Sequence, residues 1–319
     1  MRKLRLVPDD TKFDFFKLNK LYLVFSTLLV LVSLALVVVP GLNFGVDFRG
    51  GILIEARTNG PADLAALRQT LGGLDLGEVG LQEFGAPTDV LINFGQQPGD
   101  ERAQLAAIEK VKEALGDKVA EYRRIEVVGP KVGGELVRGG IIATLLAMLA
   151  IAAYVWFRFE WQFGVAALVS LAHDVITTLG LFALLQIEFD LATLAAVLTI
   201  AGYSINDTVV IFDRVREDLR KFKKMPLPDL LNHALNSTLS RTVLTGLTVF
   251  LAVLALVLFG GEVIRGFSIA MIWGVIVGMY STIGVATPLL IYLGLRRFGE
   301  HEAAAKTEPE RAPAARGKA

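Results

Sequence analysis

"TIAGYSINDTVVIFDRVRED", residues 199–218, changes character along its length. It begins as apolar sequence of membrane grade and ends as a charged helix. Asn206 and Asp207 sit in its middle, between Ile205 and Val209. A charged Asp at the centre of a lipid-facing helix costs about 2.5–3.5 kcal/mol on insertion scales. This carboxylate must therefore face a protein interior or a wet cavity, or carry a proton. The rest of the chain has to supply that environment.

Hydrophobic residues make up 53% of the sequence, and mean hydropathy is positive. That is too apolar for an ordinary soluble domain. A hydrocarbon core of roughly 30 Å needs about 20 apolar residues as helix. Six stretches qualify: 21–39, 139–157, 163–187, 191–212, 242–259 and 267–293. The first is longer than a typical signal-peptide core, and "VVVPGLNFG" after it has no small-x-small cleavage site, so it reads as an uncleaved anchor. Formal net charge is zero, which gives no basic field for nucleic acid. The chain has no cysteine and only three histidines, His173, His233 and His301, far apart in sequence. Disulfide and thiolate chemistry are excluded, and a metal site is not expected. There is no G-x-x-x-x-G-K-[ST] loop and no H-E-x-x-H. The sequence reads as a machine that takes no energy from ATP, needs no bound cofactor and is not an enzyme.

Basic residues in short flanks set orientation. Arg2, Lys3, Arg5, Lys12, Lys17 and Lys20 precede the first span. A second basic group, from Arg214 to Arg241, lies between the fourth and fifth spans, and Arg296 and Arg297 follow the sixth. The loop between the third and fourth is acidic, with Glu188 and Asp190. Both termini are thus expected in the cytoplasm: a segment at 1–20 before the first span (21–39), and a disordered polar tail at 299–319. Residues 137–298 hold the other five spans.

Residues 40–136 form the one soluble domain, on the outer side. "GILIEART" (51–58) reads as a strand and 62–73 as a helix with Leu64, Leu67 and Leu71 on one face. "EVGLQEFG" and "DVLINFG" read as strands joined by a turn at Ala86-Pro87-Thr88. Residues 100–115 form an amphipathic helix with Asp100 as N-cap and Gly116 past its end, and 122–128 is a last strand. The order βαββαβ is ferredoxin-like, and that fold names no function by itself. The domain opens with "GVDFRGG" (45–51), where Gly50 and Gly51 permit a sharp turn, Asp47 is placed to cap it, and Arg49 to pair with Asp47 or a lipid headgroup.

Within the spans, Ala192, Ala195, Thr199, Gly202, Asn206 and Asp213 follow three-and-four spacing on the fourth helix. Such a stripe of small and polar residues lets another helix approach closely. Asp207 lies about 100° round from Asn206, at the stripe's edge, with Tyr203 one turn above it. The sixth helix has its own stripe, Ala270, Gly274, Gly278, Thr282 and Ala286. The third has Ser170, His173, Asp174 and Thr177 on one side, and the fifth carries Arg241, Thr245 and Thr248. These helices are expected to bundle around a shared polar core. Arg241 and Asp207 sit at compatible depths, and a guanidinium whose distance to a carboxylate changes can make it gain or lose a proton. The bland reading makes Asn206 and Asp207 interhelical glue at ~0.6 kcal/mol per contact, His173-Asp174 a satisfied structural pair, and the group from Asp213 to Asp218 a solvated helix end.

"GVDFRGG" after the first span and "GYSINDTVVIFDRVRED" in the fourth resemble the signatures of the SecF family. So do "LNSTLSRTVLTGLTVFLAVLALVLFGG" (235–261) and "GFSIAMIWGVIVGMYSTI". The likeness covers about residues 15–298. It implies an α-helical polytopic membrane protein with six transmembrane helices and a ferredoxin-like α+β extracytoplasmic domain between helices 1 and 2. It also implies a bacterial plasma (inner) membrane location and a complex with SecD. That complex would work on translocating preproteins with the SecYEG channel and its accessory membrane subunits. The implied energy source is the proton motive force, with sodium as the ion in some members. Carried over by motif, Asp207 is the proton-coupling carboxylate and Arg241 its basic partner. Gly202, Asn206 and Asp213 of the same motif are supporting intramembrane groups, and Asp47, Arg49, Gly50 and Gly51 are architectural; Asp174 of the third helix, outside those motifs, is read from its place in the span as a further supporting polar group. The relation to resistance-nodulation-division exporters keeps one alternative open, half of a small-molecule exporter; a non-transport reading, a non-conducting scaffold subunit that only stabilises its partner, is the other.

Overall fold

The computed structural model describes residue 8 and residues 11–77, 79–261 and 264–295. The polar tail at 299–319, Arg296, Arg297 and the outermost basic residues Arg2, Lys3 and Arg5 lie outside the described residues.

The elements in chain order are α1 (Asn19–Val38), a one-turn α2 (Val46–Arg49), β1 (Gly51–Thr58), α3 (Leu64–Gly72), β2 (Val79–Phe84), β3 (Ala86–Phe94), α4 (Glu101–Leu115), β4 (Val119–Val128), α5 (Pro130–Arg158), α6 (Trp161–Leu185), α7 (Leu191–Lys221), α8 (Leu227–Phe259), α9 (Arg265–Ser281) and α10 (Thr287–Tyr292). Among the described residues, six helical spans are long and apolar enough to cross a membrane. The last of them joins α9 to α10 through a π-helical turn at Thr282–Ala286. Three helices outrun their apolar stretches: α5 begins at Pro130 rather than 139, α8 at Leu227 rather than 242, and α7 continues to Lys221 rather than 212. Hydropathy measures the lipid-soluble length, whereas backbone hydrogen bonding carries a helix on into water.

The domain between α1 and α5 is a four-stranded antiparallel sheet in the order β2-β3-β1-β4, the ferredoxin-like arrangement. One face buries Ile52, Ile54, Ala56, Val90, Ile92 and Phe94 against Leu67, Leu71, Ile108 and Val111 of α3 and α4. Asp63 and Asp100 cap these helices through their carboxylates. The expected turn at Ala86-Pro87-Thr88 is a correction: the reversal is at Gly85, with φ +79, and Phe84 pairs with Ala86. Pro87 lies in β3 beyond the reach of β1, whose pairing with β3 ends at Asp89, so its missing N–H interrupts no ladder.

α2 joins the domain to the bundle. Asp47 does not cap its own turn; its Oδ2 accepts the Leu191 N–H at the start of α7, at 3.1 Å. Phe48 stacks on Phe189 at 5.7 Å and meets Phe44 edge-on. Among the described residues Arg49 makes no ion pair within 4 Å, but its charge acts on Glu188. Gly51, at φ +149, leaves no room for a Cβ against the Phe94 carbonyl. The "GVDFRGG" stretch is therefore a joint.

In the bundle, α9 lies against α7 through Gly274 and Gly278. A Cβ on Gly274 would overlap Ile200, and one on Gly278 would press on Ser204. All five small residues expected on the sixth span are buried, as are Ser170, His173, Asp174 and Thr177 of α6. The α7 stripe is the opposite of its expectation. Ala195, Thr199, Gly202, Asn206 and Asp213 are exposed, and a Cβ on Gly202 would touch nothing. The buried face of α7 is Ala196, Val197, Ile200, Ser204, Asp207, Thr208 and Ile211. In lipid both faces of a helix are apolar, so small size alone does not say which face has a neighbour.

A candidate proton site in the polar centre of the bundle

Asp207 is 4% exposed. It points into the bundle because it lies three residues past Ser204, on the face that α9 covers. Its Oδ2 is buried without a hydrogen-bond partner, and so are the Tyr203 hydroxyl and Thr242 Oγ1. Arg241, just before the apolar part of α8 begins, is exposed. No ion pair joins it to Asp207 within 4 Å, yet its positive charge reaches that carboxylate. Of the residues named with Arg241 on the fifth span, Thr248 is exposed; Thr242 and Gly246 turn inward instead.

Next to Asp207, Thr208 Oγ1 hydrogen-bonds Thr282 Oγ1 at 2.9 Å. Thr282 opens the π turn, a wide turn often found at functional sites. Its carbonyl accepts from Thr287 Oγ1 at 2.8 Å. On the other side of Ser204 is Asp174, 0% exposed. Ser204 Oγ donates to its Oδ2 at 2.6 Å and Ser281 Oγ at 2.8 Å. His173 Nδ1 lies 2.9 Å from its Oδ1. One carboxylate thus binds α6, α7 and α9 together.

The structure brings Asp207, Arg241's field and Asp174 into one region of the bundle. It leaves Gly202, Asn206 and Asp213 on the outside. Asp213 is paired at 3.5 Å with Arg158, both side chains being about half exposed or more. Asp218 corrects the solvated-end reading: it is fully buried, with His233 Nδ1 at 2.8 Å and Arg214 Nε at 3.4 Å. A run of charges does not reveal which member turns inward. Thr282 lies on the expected small-residue stripe of the sixth span and bonds Thr208 of α7, whereas Ser204 and Ser281 were missed as partners. The signal for Ser204 was its place one turn from Asp207; Ser281 of α9 carried none.

At the domain end of the bundle, an open cleft of about 1230 Å³ separates the uncovered sheet face from the helix ends. Leu53, Leu91, Asn93, Asp47, Glu188 and Arg265 are among its lining. Burial, and the charges of Asp190 and Asp47, raise the Glu188 carboxyl above the ordinary Glu value. Among the described residues no group of His, Asp and Glu is arranged to hold a metal.

Residues 107–296 match the model of the protein export membrane protein SecD/SecF, C-terminal, and residues 35–62 match the SecD/SecF GG motif. A Rickettsia rickettsii protein translocase subunit SecF is 46% identical over 300 residues, covering 93% of this chain and 97% of that one. The Cereibacter sphaeroides subunit SecF is 45% identical over 305 residues, covering 93% and 94%. The crystal structure of SecDF from Thermus thermophilus, a translocon-associated membrane protein, superposes with a TM-score of 0.80 at 34% identity, over 90% of this chain. SecDF in its super-membrane-facing form superposes with a TM-score of 0.70 at 35% identity, over 96% of the chain. The chain spans 39% and 41% of those two longer chains.

Proposed function

The chain belongs to the SecD/SecF family of protein export membrane proteins, and on that premise we propose that it is a SecF-type subunit using the proton motive force to support late-stage preprotein export. It sits in the bacterial inner membrane with both termini in the cytoplasm. Asp207 takes up and releases the proton, and Arg241 sets how readily it does so. The carrying observation is the state of Asp207, an acid screened from lipid on the buried face of α7 with one oxygen unpartnered and a cation near but not bonded. A fixed structural pair would have both oxygens engaged. A potential of 100 mV supplies about 2.3 kcal/mol per charge that crosses it, enough to bias a conformational equilibrium.

The exposed stripe on α7 supports the partner assignment. Asn206 and Arg241 are costly against acyl chains, and small residues on a span mark where another helix approaches. A SecD-type subunit seated there encloses both polar groups, and the assembly acts beside the SecYEG channel on the emerging chain. The coupling ion is the proton, with sodium as the alternative to be distinguished by ion substitution.

The test is preprotein translocation into vesicles with an imposed proton gradient, using complexes assembled with Asp207→Asn. Loss of the gradient-dependent part, with assembly and the ATP-dependent part intact, is the expected result. Full gradient-dependent export by that variant rejects the coupling role and leaves a scaffold.

A further inference from the structure

We infer that His173 and Asp174 form a second proton-binding site in the bundle, reporting its protonation to α7 and α9 through Ser204 and Ser281. As a step in proton movement it rests on the coupling role proposed for Asp207. As a binding site it stands on its own geometry.

A clamp that only holds helices together would be closed. This one is not. His173 is 4% exposed and Ser170 1%, yet His173 Nε2 and Ser170 Oγ are both buried without a partner. The two residues lie one turn apart on the face of α6 that carries Asp174. Both oxygens of Asp174 are engaged, Oδ2 by Ser204 and Ser281 and Oδ1 by His173. The open capacity is thus on the imidazole and on the serine beneath it.

The proton balance follows from that arrangement. With one proton in the Nδ1–Oδ1 hydrogen bond, the pair carries one negative charge. A second proton forms an N–H bond at Nε2 and makes the pair neutral, as imidazolium beside carboxylate. Release breaks that same bond and returns the proton to water.

The titratable side chains on the middle of the spans packed against α6 are few: Tyr22 of α1, Tyr154 of α5, Tyr203 and Asp207 of α7, and Tyr280 of α9. The Tyr280 ring lies 6.1 Å from that of His173, and its hydroxyl is engaged by Ser26 at 2.7 Å and the Tyr22 carbonyl at 3.0 Å. The carboxylate that shares the polar centre is Asp207. The link to it runs through α7, where Ser204 holds Asp174 and Thr208 holds Thr282. Ser281, at the head of the π turn, reads the same Asp174 oxygen as Ser204. A change of charge on the imidazole that Asp174 holds therefore acts, through that carboxylate, on the hydrogen bonds from both helices that flank Asp207.

The chain has only three histidines, which makes nitrogen NMR decisive. The full-length chain, labelled with ¹⁵N-histidine and held in lipid nanodiscs, is titrated from about pH 5 to pH 9, around the ordinary histidine range. His173→Gln identifies the resonances by their loss. The expected result is an Nε2 signal that moves from the bare to the protonated position within that range, with a different midpoint in Asp207→Asn. An Nε2 signal fixed across the whole range overturns the inference and makes the pair a static clamp. Gradient-driven export by assembled complexes carrying His173→Gln is the functional arm. A displaced pH optimum supports a part in coupling, and an unchanged optimum removes it. If Asp207→Asn itself leaves gradient-driven export intact, the coupling reading fails alone, and the titration still decides the site.

Discussion

The sheet domain and the helix bundle solve burial in opposite ways. Under α3 and α4 the interior is aliphatic and aromatic, and its ion pairs, such as Arg57–Asp89 and Arg123–Asp89, lie on the other face of the sheet. In the bundle the centre is where the polar groups collect: Ser170, His173, Asp174, Ser204, Asp207, Thr208, Ser281 and Thr282 are all at most 4% exposed. Water drives the first arrangement, because apolar area leaves it on folding. Lipid offers no such drive between helices, so close contact of small residues and interhelical hydrogen bonds take over. Packing alone asks for hydroxyls in such a place. It does not ask for two carboxylates, one of them with a bare oxygen. That surplus is what points to function.

The largest expected effect that tests this contrast is Ile54→Ala. Ile54 is completely buried in the domain core, and the change should cost about 2–5 kcal/mol, read as a lowered unfolding midpoint of the purified full chain. Leu146→Ala on the 60% exposed, lipid-facing side of α5 should stay within about 0.5 kcal/mol. Equal losses at both sites would erase the distinction. Next comes Gly274→Val, which drives a side chain into Ile200 and should cost about 1–3 kcal/mol in resistance of the bundle to denaturing detergent. Gly202→Ala meets nothing in this chain and should change the isolated subunit by less than about 1 kcal/mol, in the direction of more stable helix. A large penalty seen for Gly202→Ala only in the assembled complex would show that a partner helix covers it.

The smallest effect lies at the junction of the two regions. The Glu188 carboxyl is raised by burial, Asp190 and Asp47, so the folded chain holds its proton more tightly than the unfolded chain does. Stability from this group is full below the ordinary Glu value and falls as pH rises through the elevated one. Glu188→Gln should therefore melt slightly higher than the wild type at neutral pH, with the difference vanishing in acid. A variant that melts lower at neutral pH contradicts the assigned strain.

The two regions also differed in how far the sequence could be read. The domain was legible because water writes its pattern plainly: "GILIEART" alternates, Asp63 and Asp100 cap, and Gly116 stops a helix. Two residues misled there: Pro87, since proline suits both a turn and the unpaired end of a strand, and Asp47, whose carboxylate reaches Leu191 of another element instead of capping its own turn. In the bundle the spans and Asp207 were legible from hydropathy and from one misplaced charge. Which side of α7 faces inward was not, because Gly202 and Gly274 look alike until the neighbours are known. The Asp174 hub was half visible: His173 and Asp174 stood out, but Ser204 and Ser281 are unremarkable serines. Asp218 was hidden in a run of charges, where its burial depends on His233 from another helix.

The claim on which the account turns is that Asp207, though shielded from lipid, exchanges its proton with water. Infrared difference spectroscopy of the complex in membranes measures this directly, through the carboxylic-acid carbonyl band removed by Asp207→Asn. The expected band shifts on transfer to heavy water and loses intensity as the bulk pH rises. A band that ignores both solvent isotope and pH, or no band at any pH, would mean a carboxyl locked in one state and would contradict the account.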